Sequence, residues 1–269
     1  MNQRSKPPPS TIIALALITI LGIVCIVAGL TVLQLPNSVT ENGDKVELLY
    51  LPVLIISLVV FWGVTSGIIW AVFRYRRKSE DEELPEQIHG SSVLEATWTA
   101  IPIIILVALF IPAFILVLDI KTTPDEEDID VRVEAIGHQW WWEFAYPDDG
   151  VGVQQTPPDY ENLEPPTLVL PVDQTVLITV RSTDVVHSFS APNTLYKIQA
   201  IPGNVNEMHV KFEDTGVFYG QCYQFCGTRH SDMLFLIDVR EQADYEAWLA
   251  ETQAAQGVTP PDLAAASED

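Results

Sequence analysis

Near the C-terminal end of the chain lies the segment Gly220-Gln221-Cys222-Tyr223-Gln224-Phe225-Cys226-Gly227-Thr228-Arg229-His230-Ser231-Asp232-Met233. Within twelve residues it carries two thiols, one imidazole and one thioether. A second imidazole, that of His187, comes directly after a predicted strand. Cysteine and methionine sulfurs combined with imidazole are typical of copper sites, whereas zinc rarely binds a thioether. The segment therefore predicts a copper site.

The second cysteine decides how many metal ions this site would hold. One thiolate, two imidazoles and a weak methionine ligand describe a mononuclear blue-copper site. Two thiolates, from Cys222 and Cys226, can instead bridge two copper ions, with one histidine for each and Met233 and a backbone carbonyl as weak ligands. Such a site has no open position for a substrate, which indicates electron transfer. Three alternatives stay open: a Cys222–Cys226 disulfide, a four-ligand Cys2His2 zinc site, and a mononuclear copper site with a spare cysteine.

Around this segment, short apolar alternations between Gly and Pro turns predict an all-β domain over 121–242. The predicted strands are Val131–Ala135, Thr167–Leu170, Thr175–Val180, Glu207–Phe212 and Leu234–Val239. Many short strands of this kind are typical of a β-sandwich or Greek-key barrel. The remainder, 243–269, is predicted to hold one short helix, Ala243–Ala254, and a disordered Pro/Ala-rich tail.

Three long uncharged runs precede the predicted β domain: Thr11–Leu35, Leu48–Phe73 and Trp98–Leu118. Each is long enough to cross a bilayer core of about 30 Å at about 1.5 Å per residue. Residues 1–118 hold 9 acidic and 7 basic residues, net −2, whereas residues 119–269 hold 27 acidic and 7 basic residues, net −20. This uneven distribution of charge excludes a soluble enzyme of uniform composition. The acidic excess also argues against nucleic-acid binding, because phosphate backbones need Lys and Arg. The chain is predicted to be membrane-anchored, with two or three transmembrane helices.

Basic residues near the ends of these runs predict the orientation, because cytoplasmic segments next to membrane helices are rich in Lys and Arg. Two precede the first run and four follow the second: Arg4, Lys6, Arg74, Arg76, Arg77 and Lys78. The link Pro36–Glu47 and everything after Asp119 then lie outside. We expect the first helix, within 1–47, to be retained, with a cleaved signal peptide as the alternative, and a transmembrane helical hairpin over 48–120.

The run C-x3-C-x3-H-x2-M closely resembles that of subunit II of haem–copper cytochrome c oxidases, and the resemblance covers residues from about 50 to 245. It implies a cupredoxin-like Greek-key domain that holds the dinuclear copper A centre. The resemblance implies that Cys222 and Cys226 bridge both copper ions. It also implies that His187 and Met233 complete the ligands of one copper, and that His230 and the carbonyl of Gln224 complete those of the other. The family usually has Glu in place of Gln224, and its side chain also reaches a magnesium ion. Because Gln lacks that charge, the resemblance does not assign magnesium here.

Two further motifs carry the same resemblance. In Gly137-His138-Gln139-Trp140-Trp141-Trp142-Glu143-Phe144 it implies that Trp140 is the exposed residue that accepts electrons from the donor, although three adjacent Trp in a strand can also be simple packing. In Glu95-Ala96-Thr97-Trp98-Thr99-Ala100-Ile101-Pro102 it implies that Glu95 lies at the cytoplasmic mouth of a proton channel of subunit I.

A fourth stretch, Ala200–Asn204, matches the family less well, so the contacts that the family makes there with subunit I are not assigned to this chain. Acidic residues after the Trp motif are expected to form a docking rim, with a merely solvated surface as the alternative: Asp148, Asp149, Asp159, Glu161 and Glu164.

The function implied is that of the electron-accepting subunit of an oxygen-reducing, proton-pumping oxidase in the plasma (inner) membrane, with the copper domain on the outer, periplasmic face. Its expected partners are membrane lipid, the haem-containing subunit I and an electron donor, either a cytochrome c or a small copper protein. Two alternatives are the copper A subunit of a nitric oxide reductase and a stand-alone tethered copper carrier. A quinol-oxidase subunit is disfavoured, because those subunits lack the copper ligands.

Overall fold

The computed structural model describes residues 9–75, 87, 89–153 and 165–258. These residues form two units, one built from Met1–Leu35 and Leu48–Ala113 and the other from Pro36–Glu47 and Phe114–Asp269. We refer to them as the helical unit and the outer unit.

The described residues before the β domain include three apolar helices: α1 (Pro9–Val32), α2 (Glu41–Tyr75) and α3 (Ser92–Lys121). Among the described residues, α2 and α3 are long and apolar enough to span a membrane, whereas the searched apolar part of α1, Ala16–Val32, is shorter. Helices suit such sequences because all their backbone groups are paired within the segment, which a lipid environment requires. The prediction of two or three apolar helices before a β domain is confirmed. Of the basic residues used for orientation, only Arg74 lies within the described residues.

In the described part of the outer unit there are ten strands: β1 (Val131–His138), β2 (Trp141–Tyr146), β3 (Val151–Val153), β4 (Thr167–Pro171), β5 (Thr175–Ser182), β6 (His187–Ser190), β7 (Ile198–Ala200), β8 (Asn206–Lys211), β9 (Gly216–Cys222) and β10 (Leu234–Arg240). They form two five-stranded sheets, ordered β3-β2-β1-β5-β8 and β4-β10-β9-β6-β7. The pairs β1·β5 and β4·β10 are parallel and the other pairs are antiparallel. The two sheets confirm the predicted all-β sandwich, and a cupredoxin-like fold is consistent with them.

An aromatic core joins the two sheets. Trp142 and Phe144 of β2 make edge-to-face contacts with Phe189 of β6 and Phe235 of β10, at ring-centroid distances of 5.4 to 6.2 Å. Phe189 and Phe235 stack at 4.5 Å. All four side chains are buried, so the interior next to the candidate metal site is dry and densely packed.

Two segments outside the sheets also pack on the outer unit. In the link before α2, Val39 joins the core and Thr40 forms a β-bridge with Phe212. At the other end, α4 (Gln242–Gln256) places Trp248 against Tyr146, with ring centroids 5.3 Å apart. The predicted helix Ala243–Ala254 lies within α4, and residues 259–269 lie outside the described part of the chain.

Candidate metal centre

Two strands and one loop bring the predicted ligands together. His187 begins β6 and Cys222 ends β9, and these strands are paired with Phe189 opposite Cys222. The chain then turns through the loop that carries Cys226 and His230, and Met233 comes directly before β10. A contiguous segment thus supplies five donors, and the neighbouring strand supplies His187.

The donor atoms of this set lie close to one another. The two sulfurs, Cys222 Sγ and Cys226 Sγ, are 3.9 Å apart, and both cysteines are free. Nδ1 of His187 lies 3.9 Å from Cys222 Sγ, and Nδ1 of His230 lies 3.5 Å from Cys226 Sγ. Met233 Sδ is 3.9 Å from Cys226 Sγ, and the carbonyl oxygen of Gln224 is 3.2 Å from Cys222 Sγ. The structure therefore brings all six predicted donors into one cluster.

The chemistry of this cluster fits a soft metal. Cys222, Cys226, Met233 and His187 are buried, and the ligand atoms of His187 and the two cysteines lie within 4.8 Å of one another. The free thiols argue against the disulfide alternative. The thioether of Met233 faces the same cluster, and a Cys2His2 zinc site would leave it unused.

The two thiols differ in acidity. Burial alone would raise the pKa of Cys222, but hydrogen bonds with His187 and with the backbone bring it to about 7. Burial, together with the charge of Cys222, raises the pKa of Cys226 to about 12. Without metal, the pair of thiols therefore loses its first proton much more easily than its second. Because thiols bind metals as thiolates, metal binding must also release that second proton.

His187 is held by close packing on one side. Its ring makes an edge-to-face contact with Trp142 at 6.1 Å. A Cβ atom at Gly137 would come within 2.8 Å of His187 Cδ2, which is closer than real contacts allow. Gly137, which directly precedes His138, is therefore needed so that β1 can approach the imidazole of His187.

Asp184 contacts His187 on the side away from the thiols. Its Oδ1 lies 2.7 Å from His187 Nε2 and also accepts the backbone N–H of Val185 at 2.6 Å. Its Oδ2 accepts the backbone N–H of Gln139 at 2.6 Å. Sequence reasoning did not select this residue, although a carboxylate three positions before a candidate histidine ligand is a signal for such a contact.

Trp140 lies in the turn between β1 and β2, where His138 pairs with Trp141, so the three tryptophans do not all lie in a strand. Its indole Nε1–H donates to the carbonyl oxygen of Cys226 at 3.1 Å, and Gln139 Nε2 donates to the same oxygen at 2.7 Å. Trp140 is half-buried rather than fully exposed, because its ring packs over Gly227. The structure therefore joins this turn directly to one of the candidate bridging residues.

The remaining predicted functional residues have other surroundings. Glu95 is exposed in the first turn of α3, where its Oε1 accepts the backbone N–H of Ser91 at 3.2 Å. Asp148 pairs with Arg132 at 3.2 Å, and burial, then the charge of Asp148, raises the pKa of Asp149. The other acids of the predicted rim, Asp159, Glu161 and Glu164, lie outside the described residues.

Comparison with known proteins assigns the chain to a family. Residues 131–240 match the family model of the cytochrome C oxidase subunit II periplasmic domain, and residues 28–116 match that of its transmembrane domain. Cytochrome c oxidase subunit 2 of Arabidopsis thaliana is 33% identical over 214 residues, which cover 73% of this chain and 79% of that protein. The chain belongs to the cytochrome c oxidase subunit II family.

Bacterial members of the family are similar as well. Cytochrome c oxidase subunit 2 of Alkalihalophilus pseudofirmus is 34% identical over 221 residues, which cover 79% of this chain but only 61% of that protein. A probable cytochrome c oxidase subunit 2 of Rickettsia bellii is 30% identical over 207 residues, covering 73% of this chain and 75% of the relative. Among solved structures, the periplasmic domain of subunit II of cytochrome oxidase from Bradyrhizobium japonicum has a TM-score of 0.43 at 32% identity and covers 50% of this chain and 99% of that one.

Proposed function

We propose that the outer unit holds a dinuclear copper centre of the copper A type. The two cysteines, Cys222 and Cys226, would bridge both ions. The remaining ligands would be His187, Met233, His230 and the backbone carbonyl of Gln224. The observation that carries this proposal is the number of donors: six converge on one cluster, and two soft metal ions that share two thiolates use all of them.

When bound, such a centre supplies a carrier for single electrons. The protein around it keeps water away, because Trp142, Phe189 and Phe235 pack beside the buried donors. Six protein donors also leave no position for a substrate. A site that is rigid, closed to substrates and shielded from water reorganises little when it gains or loses one electron. This suits electron transfer rather than the making and breaking of bonds.

In the assembled enzyme, this chain would accept electrons from a soluble or tethered donor, a cytochrome c or a small copper protein, and pass them to haem in subunit I for oxygen reduction coupled to proton pumping. Trp140 is the proposed site of electron uptake, and its hydrogen bond to Cys226 supports that role. Family membership favours oxygen over nitric oxide as the terminal substrate.

The proposed location is the plasma (inner) membrane, with α2 and α3 across the bilayer and the copper unit on the periplasmic face. Glu95 would then lie on the cytoplasmic side, where an exposed carboxylate can collect protons for subunit I. We do not propose magnesium as a cofactor, because Gln224 provides no charged ligand for a hard cation.

The test is to purify the complex through a tag on this chain and to analyse its haem, copper and oxygen uptake together. The proposal predicts a haem-containing partner and oxygen consumption driven by a reduced donor. A complex that reduces nitric oxide but consumes no oxygen would overturn the assignment as an oxidase. A chain that carries copper without any haem partner would instead be a tethered carrier.

A further inference from the structure

We infer that Asp184 is a positioning residue that holds His187 and the β1–β2 turn in one fixed arrangement around the metal centre. This inference rests on the proposed copper function. It concerns a residue that contacts the donor set without belonging to it, and it assigns to the two carboxylate oxygens of Asp184 two different tasks.

The two oxygens have different partners. Oδ1 faces the imidazole, at 2.7 Å from His187 Nε2, and Oδ2 faces the turn, at 2.6 Å from the backbone nitrogen of Gln139. The carboxylate is itself fixed, because Oδ1 also accepts the N–H of Val185 and because Ser182 Oγ accepts the backbone N–H of Asp184 at 3.2 Å. Asp184 is therefore preorganised between two segments that are 45 residues apart in the chain.

The contact with Oδ1 selects the tautomer of His187. A carboxylate accepts a hydrogen bond, so Nε2 carries the proton and donates it to Asp184. Nε2 has the closer acceptor, at 2.7 Å, so in the neutral ring the proton stays on Nε2 and Nδ1, which faces Cys222 Sγ at 3.9 Å, is unprotonated. Only the doubly protonated ring can also donate from Nδ1 to the Cys222 thiolate. Carboxylates that receive a hydrogen bond from the far nitrogen of a ligand histidine fix both its tautomer and its orientation.

The contact with Oδ2 reaches a second donor residue through the turn. Gln139, whose N–H is held by Asp184, donates from its side chain to the carbonyl oxygen of Cys226, and the Trp140 indole donates to the same oxygen. Asp184 thus connects directly to His187 and through the turn to Cys226. These two donor residues lie on different elements, β6 and the loop after β9, so one carboxylate sets their mutual position.

The test compares Asp184→Ala, Asp184→Asn and a charge-matched control, Asp214→Asn, in the full chain solubilised in detergent. Asp214 is exposed, and strand β9, about 20 Å long, separates it from Cys222. Asn retains a carbonyl oxygen that can accept from His187 or from the turn, whereas Ala retains neither contact. The readouts are copper release to a chelator and the nitrogen couplings of the two imidazoles by electron–nuclear double resonance.

We expect Asp184→Ala to lower copper affinity by about 10- to 100-fold and to change the coupling of one imidazole out of two. Asp184→Asn should recover part of both effects, and Asp214→Asn should match the wild-type chain. Unchanged affinity and coupling in Asp184→Ala would overturn the inference. Equal shifts in Asp184→Asn and Asp214→Asn would also overturn it, because they would mean that only net charge matters.

A metal-free measurement separates this inference from the proposed function. Nitrogen NMR of histidine-labelled chain at alkaline pH, where the imidazole is neutral, reports which ring nitrogen of His187 carries the proton. The wild-type chain should show the proton on Nε2, and Asp184→Ala should show a mixture of both tautomers. If the chain fails to bind a copper pair but this change is observed, the copper function fails while the positioning role stands. An unchanged tautomer contradicts the positioning role directly.

Discussion

The segment Cys222–Met233 and the opposing segments around Gln139 and Asp184 surround the same site in different ways. The first supplies five of the six donors, four side chains and the backbone carbonyl of Gln224, and each donor atom lies 3.2 to 3.9 Å from another donor atom. The second contributes only one donor, His187. Its other residues act by hydrogen bonds with Nε2 of His187 and with the backbone carbonyl of Cys226. One region therefore supplies the chemistry and the other supplies position. Removing a donor should abolish the centre, whereas removing a support should change it by degrees.

The largest effect is expected for Cys226→Ser in the full chain. A hydroxyl cannot replace a bridging thiolate, so the chain should lose the dinuclear centre and its shared-electron resonance signal. The measurement is copper per chain together with electron paramagnetic resonance. Cys25→Ser is the matched control, because Cys25 is exposed in α1 and lies in the helical unit. Retention of the wild-type signal in Cys226→Ser would remove this cysteine from the site.

The next effect is expected for Gly137→Ala, which tests the support of His187 without removing any polar group. The new Cβ would meet His187 Cδ2 at 2.8 Å, so either the imidazole or strand β1 must move from its present position. Overpacking of this kind costs about 1–3 kcal/mol of stability, and copper should be released faster. Gly152→Ala is the control, since a Cβ there meets no atom of the described residues within 4 Å. Thermal unfolding and chelator release measure both variants, and equal behaviour would mean that β1 does not constrain His187.

A smaller effect is expected for Trp140→Phe. A smaller aromatic ring replaces the indole, and the hydrogen bond to the carbonyl of Cys226 is lost, which is worth about 0.5–1.5 kcal/mol. Electron transfer within the docked complex should slow, while donor binding and copper content stay unchanged. Trp141→Phe is the comparison, because Trp141 is the neighbouring tryptophan and stacks on His138, with ring centroids 4.2 Å apart. Equal rates in the two variants would show that Trp140 is not the site of electron uptake.

The smallest effect is expected for the acidic rim, tested with Asp149→Asn and Asp148→Asn. The net charge of −20 after position 118 should steer a basic donor at low ionic strength. Asp148 is paired with Arg132, which Glu126 also contacts, so its neutralisation changes the net charge by the same single unit as Asp149→Asn. The two variants should therefore slow association to a similar extent. At about 0.15 M salt the Debye length is roughly 8 Å, so both effects should be small there. Stopped-flow reduction at several salt concentrations measures them, and rates that rise with salt would exclude steering by these acids.

The two regions also differ in what the sequence could predict. The ligand segment is contiguous, so its spacing and donor types could be read directly, and the apolar runs of α2 and α3 could be recognised in the same way. The contacts of Asp184 and Gln139 could not, because they join residues 45 and 87 positions apart. Strand β6 was not predicted because three of its four residues are polar although all four are buried, so its sequence has neither an apolar run nor an alternation. Trp140 was expected to be exposed but is half-buried, because the packing of its ring over Gly227 depends on the folded turn.

The central claim is that six donors hold two copper ions, and the most direct measurement is the copper content of the full chain combined with its electron paramagnetic resonance spectrum. The account predicts two copper ions per chain and a seven-line hyperfine pattern, produced by one unpaired electron shared equally between two copper nuclei. One copper ion per chain with a four-line pattern, or zinc bound in preference to copper, would contradict it.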